Sequence, residues 1–172
     1  MNSQIKNRNE FIFATGLVLL ASVSRIFPHI PNVSPINAIA LFGGVYFSKR
    51  MSLIVPILSM FISDLFIGFH STMFFVYSSF LLTVFLGWKL NNRKTVLNTF
   101  FTSATSSILF FVITNFGVWM TSNSYSINLS GLVQCYIAAI PFFRNSLLGD
   151  LGFVFLIFGV YEFVSKKILV TN

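Results

Sequence analysis

Charge is scarce in this chain of 172 residues: only 9% are Asp, Glu, Lys or Arg, and only 4 are acidic. A soluble domain carries about 25% charged residues, so a water-facing surface cannot be assembled from this composition. Disorder is excluded by the opposite criterion, because it needs low hydrophobicity and high charge. A single Cys rules out an internal disulfide framework and any multi-cysteine metal site. Also missing are G-x-x-x-x-G-K-[ST], G-x-S-x-G, H-E-x-x-H and C-x-x-C. The chain therefore carries no ATP-hydrolysing machinery, and we expect no enzyme, no cofactor and no bound metal.

What is abundant is apolar. Hydrophobic residues make up 55% of the chain and the mean hydropathy is +0.83. The 23 Phe residues accompany Ile, Asn, Ser and Lys in a pattern that base composition can produce, so they carry no functional weight. Crossing about 30 Å of hydrocarbon takes roughly 20 helical residues. Read that way, residues 11–27, 35–48, 52–69, 72–88, 96–119 and 146–164 are candidate spans. Residues 131–140 are too few to cross and are expected to stop at Pro141. Period-two alternation is absent, which excludes a membrane barrel. The expectation is one all-α, polytopic integral membrane domain over residues 1–172, with about six transmembrane helices plus one short re-entrant or interfacial helix.

Positive charge sets the expected orientation. With six spans, one side collects every Lys and Arg except Arg25 and Arg144. Both termini are then cytoplasmic, in a bacterial inner membrane, and the pI near 9.9 is a topology signal rather than a nucleic-acid footprint. Lys6 and Arg8 before an apolar run ending in Ser22-Val23-Ser24 also match the outline of a cleavable signal peptide. Cleavage would leave five spans in the same orientation.

Orientation makes the remaining polar residues informative. Glu10 and Glu162 fall near the cytoplasmic boundary. Asp64 lies fourteen residues beyond Arg50, about 21 Å up its helix, and Asp150 sixteen residues before Lys166, about 24 Å. An ionised acid at such depth costs at least ~2.5 kcal/mol and must face protein or a water-filled cavity. Arg25, His29, Asn37, Asn115, Arg144 and Asn145 share that outer region. The Pro-punctuated loop 28–35, with Ser34 as N-cap and Pro35 opening a short helix, lies there too. Irregular backbone at depth is tolerated where it lines a cavity, and short interrupted helices point to substrate sites in transporters. The structural alternative is that Asp64–Arg25 and Asp150–Arg144 are ion pairs tying helices together. Gly43, Gly44, Gly149 and Gly152 read as close-packing positions rather than phosphate loops.

Ala40-Leu41-Phe42-Gly43-Gly44, Ser63-Asp64, Thr114-Asn115-Phe116-Gly117-Val118-Trp119 and Pro141-Phe142-Phe143-Arg144-Asn145 resemble a bacterial membrane family of unknown function that carries a transport label. In size, six-span layout and outward polar pocket the chain also resembles the substrate-binding S components of energy-coupling-factor transporters. That resemblance implies capture of a solute outside, with a separate coupling protein and two ATPases as partners. The Ala-x-x-x-Ala docking motif of those proteins is absent, since Ala14 and Ala21 are seven apart.

The leading expectation is a membrane subunit that binds a small polar, vitamin- or nutrient-like solute. The solute would meet Asp64, Asn115, Arg144, Asn145 and Asp150, with Arg25, His29 and Asn37 at the same site. One alternative is a small proton-coupled carrier in which Asp64 or Asp150 is alternately protonated. Another is a non-transporting scaffold of an envelope assembly.

Overall fold

The computed structural model describes residues 3–27 and 30–170, with residues 3–9 and 166–170 described by their backbone alone. Its described part is helical throughout: α1 (Ser3–Ile26), α2 (Ile36–Tyr46), α3 (Lys49–Ile67), α4 (Met73–Asn91), α5 (Val96–Thr121) and α6 (Leu129–Val170). The helices begin and end where side-chain chemistry permits. Ser48 caps α3 by accepting from the Met51 N–H, while the Glu10 carboxylate of α1 accepts from the Ser48 N–H at 2.7 Å. Thr95 caps α5 by accepting from the Asn98 N–H at 3.1 Å. Gly68, at φ 106°, stops α3 in a conformation that side chains disfavour.

Polarity is turned inside out along these helices. On α5 the buried positions are Thr99, Ser103, Ser106, Ser107, Thr114 and Gly117, whereas Phe101, Ile108, Val112 and Phe116 are exposed. On α3, Ser52, Ser59, Ser63 and Asp64 face inward while Leu58, Phe61, Leu65 and Phe66 face out. Such an exterior suits hydrocarbon rather than water. Among the described residues, α3, α4, α5 and α6 are long and apolar enough to cross a membrane.

Two expectations about spans change. Residues 35–48 do not form a span of their own: α2 has 11 residues and is about 16 Å long. All but one of its residues are buried, and it touches each of the other five helices. A helix that is apolar all round belongs inside protein, and α2 is the central strut of the bundle. Secondly, Pro141 does not terminate a separate short helix; it lies inside α6, a continuous 42-residue helix. Proline removes one N–H and crowds the preceding turn. Here α6 is held on α5 on both sides of the lesion. Tyr136 OH donates to the Val112 carbonyl at 2.6 Å, and the Phe111 and Phe143 rings pack with their centroids 4.7 Å apart, tilted by 40°.

Helix direction alternates along the chain. The turns carrying Lys49, Arg50, Lys89, Arg93 and Lys94 gather at one end, joined by Glu10–Ser48, Tyr46–Glu162 and Trp88–Ser52 hydrogen bonds. At the other end the last turn of α1, the first turn of α2 and the α3–α4 connection surround an opening.

Candidate binding site

At that second end lies a cavity of about 330 Å³. Its polar wall comes from Arg25, Asn32, Ser34, Asn37, Ser146 and Asp150, with His70 at the rim. Its apolar wall comes from Ile36, Met60, Ile67, Val76, Phe80 and Phe110. Two buried hydrogen-bond networks flank it.

The first is built on Asp64, which is fully buried near the end of α3. Arg25 Nη1 of α1 pairs with Asp64 Oδ1 at 2.6 Å and also donates to Ser63 Oγ. Tyr77 OH of α4 donates to Asp64 Oδ2 at 2.8 Å. Both carboxylate oxygens are thus engaged, and the charge is balanced.

The second joins α2, α4, α5 and α6 around Asp150, which is 6% exposed. Asp150 Oδ2 accepts from Asn37 Nδ2 at 2.7 Å and from Ser107 Oγ at 2.6 Å. A carboxylate only accepts, which orients the Asn37 amide; its Oδ1 then takes the Thr83 hydroxyl at 2.8 Å. Asn37 Nδ2 also reaches Ser106 Oγ at 3.1 Å. One turn away, Ser103 Oγ is buried without a hydrogen-bond partner among the described residues.

The expected site residues therefore separate. Arg25, Asn37 and Asp150 line the cavity, and Asp64 stands directly behind Arg25. Asn145 is one residue from the lining Ser146 and donates to the Pro31 carbonyl at 3.2 Å, tying the α1–α2 loop to α6. Asn115 does not line the cavity; its amide donates to the Phe111 carbonyl of its own helix at 2.7 Å. Arg144 is exposed and makes no ion pair among the described residues, so of the two pairs considered only Arg25–Asp64 forms. The six-residue offset between Arg144 and Asp150 puts them on different faces of α6. His29 lies outside the described residues. Among those residues no three His, Cys, Asp or Glu side chains converge as metal ligands.

Sequence reasoning missed Thr83, Ser107 and Tyr77, the neutral donors to the networks, and Ser106, which accepts from the Asn37 amide. Hydroxyls on membrane-type helices commonly bond the carbonyl a turn back, as Ser59 does to Val55. Their presence in an apolar run is therefore no signal by itself.

At the opposite end Lys94 Nζ contacts Tyr46 OH at 2.6 Å and Glu162 Oε1 at 3.1 Å, and sits 4.4 Å from the Tyr46 ring centroid. Burial pushes the Lys94 ammonium down, but its hydrogen bonds to Tyr46 and Glu162 and their charges outweigh this and leave it above its ordinary value.

Residues 5–171 match the model of a family of unknown function, DUF6580, and the chain belongs to that family. Neither the comparison with curated proteins nor that with solved structures gave a match.

Proposed function

We propose that this member of the family is a membrane-embedded subunit that binds a small polar solute in the cavity beside Asp150 and helps to import it. The observation that carries the reading is the cavity itself: about 330 Å³, with charged and amide groups on one wall and apolar side chains on the other. Binding sites for small molecules have this mixture, a mostly apolar lining with a few placed polar groups. Asn37 and Asp150 are the direct contacts in this reading. Asp64 holds Arg25 at the wall, and Asn145 anchors the stretch that brings Asn32 and Ser34 to the cavity wall.

By the positive-inside rule the Lys- and Arg-bearing turns face the bacterial cytoplasm, so the cavity opens to the outside. The sequence contains no G-x-x-x-x-G-K-[ST] motif; in this reading the energy comes from a separate coupling protein with ATPases, in the manner of energy-coupling-factor S components. Thermal unfolding of the purified protein against vitamins, nucleobases, amino acids and metal ions tests the reading. A solute that raises the midpoint in the wild type and loses its effect in Asn37→Ala supports it. No stabilising solute, together with uptake unchanged by alanine at Asn37 and Asp150, overturns it.

Asp150, buried and in no ion pair among the described residues, also favours a second reading, a proton-coupled carrier. Uptake abolished by a protonophore at constant ATP distinguishes that reading from the first.

A further inference from the structure

The two buried carboxylates beside the cavity are balanced unequally. Asp64 forms a closed neutral unit: Arg25 fills one oxygen, Tyr77 fills the other, and the arginine charge is spent there. Asp150 has only neutral donors, Asn37 and Ser107, and both go to Oδ2. Among the described residues neither a hydrogen bond nor an ion pair reaches Oδ1, although the residue lines the cavity. Of the other titratable groups lining it, Arg25 is taken up by Asp64, and His70 is at the rim with Nδ1 2.8 Å from Thr72 Oγ1. Among the described residues an ionised Asp150 thus has no cation beside it, in surroundings where an unpaired ion is costly.

We propose that the ligand supplies the missing charge: an organic ammonium with an apolar body, its cationic head against Asp150 Oδ1. This rests on the binding-cavity reading and narrows its substrate class, from small polar solutes to organic cations. The remaining walls fit such a body. Met60, Val76, Phe80 and Phe110 present apolar and aromatic surface, and aromatic faces attract ammonium groups. A hard inorganic cation such as Ca²⁺ instead wants a shell of about six or more oxygens, which suits a smaller and more polar enclosure.

The test uses the purified full chain in detergent at fixed ionic strength. Its unfolding midpoint is measured with phenethylammonium and benzyltrimethylammonium, with their neutral and anionic counterparts 2-phenylethanol and phenylacetate, and with sodium and potassium chloride. We expect at least one organic cation to raise the midpoint by several degrees at a concentration where the alcohol and the carboxylate do not. In Asp150→Asn its affinity should fall by at least about tenfold, the equivalent of losing one modest interaction. If that variant does not fold, the wild-type ranking decides alone. Equal stabilisation by the alcohol, preference for the carboxylate, stabilisation by sodium or potassium only, or an unchanged cation effect in Asp150→Asn each overturns the proposal. If no cation stabilises but another solute of the wider panel does, the cationic assignment falls and the binding cavity stands. If nothing stabilises, the cationic assignment falls, and the binding cavity falls with it when alanine at Asn37 and Asp150 also leaves uptake unchanged.

Discussion

Asp64 and Asp150 place the same functional group in two electrostatic situations. Asp64 is held by an arginine and a tyrosine and acts as a structural anchor between α1, α3 and α4. Removing the cation alone leaves a buried charge uncompensated, a loss of about 3–5 kcal/mol, whereas replacing both partners by apolar residues is far milder. Arg25→Met should therefore destabilise the protein strongly in denaturant unfolding, and Arg25→Met with Asp64→Leu should recover most of the loss. Additive effects would show that the two do not act as a pair. Lys94 gives a prediction of the opposite kind, at a half-exposed site. Its value is raised in the folded chain, so its contribution is fully present below the unfolded value of about 10.4 and disappears as pH rises through the folded one. The stability difference between wild type and Lys94→Met should be constant up to about pH 10 and then shrink. Solvent screening keeps it below about 1 kcal/mol. A difference that grows with alkali would contradict the assignment.

Among the elements, α2 packs against α4 with backbone close to backbone. Its Gly44 meets Gly87 of α4 so closely that a Cβ on Gly44 would lie 2.5 Å from the Val84 carbonyl oxygen and 2.8 Å from the Gly87 Cα. A Cβ on Gly87 would lie 2.6 Å from the Leu41 carbonyl oxygen. These are backbone atoms, so the helices must separate. Gly44→Ala and Gly87→Ala should each destabilise by about 1–3 kcal/mol or more, as overpacked cores do. Gly152→Ala, with open space around it, should be neutral or gain a few tenths of a kcal/mol from helix propensity. Equal Tm values for all three alanine variants would remove the case for a tight α2–α4 seam. The reading of Gly43 and Gly44 as packing positions was available from the sequence, because small residues let membrane helices approach; the same reading fails at Gly152, which has open space around it. Which helix they approach was not, since nothing local to Gly44 refers to Gly87. Pro141 teaches the converse. Its local rule predicts a helix end, and α6 continues because contacts with α5 before and after it outweigh one missing hydrogen bond.

For the whole molecule, the proposed orientation makes a direct prediction. In a Cys135→Ser background, a cysteine at Ser124 should react with a membrane-impermeant maleimide in intact cells. A cysteine at Asn92 should react only after permeabilisation. The reverse pattern would put the Asp150 cavity on the cytoplasmic side and remove capture from outside as its role.

The sequence by itself determined that the chain is helical and that its exterior is apolar, because composition alone decides which solvent a surface can face. It also singled out Asp64 and Asp150, because an acid far inside an apolar run is costly wherever the helix packs. Only the tertiary structure decided that α2 is an enclosed strut and that 131–164 is one helix. It alone separated Arg25, which meets Asp64, from Arg144, which meets no carboxylate among the described residues. The physical reason is that burial cost belongs to a residue and its own helix, whereas charge balance belongs to a pair brought together from distant parts of the chain. Thr83 and Ser107 were invisible for the same reason: a hydroxyl costs little on any helix until the fold places an amide or a carboxylate opposite it.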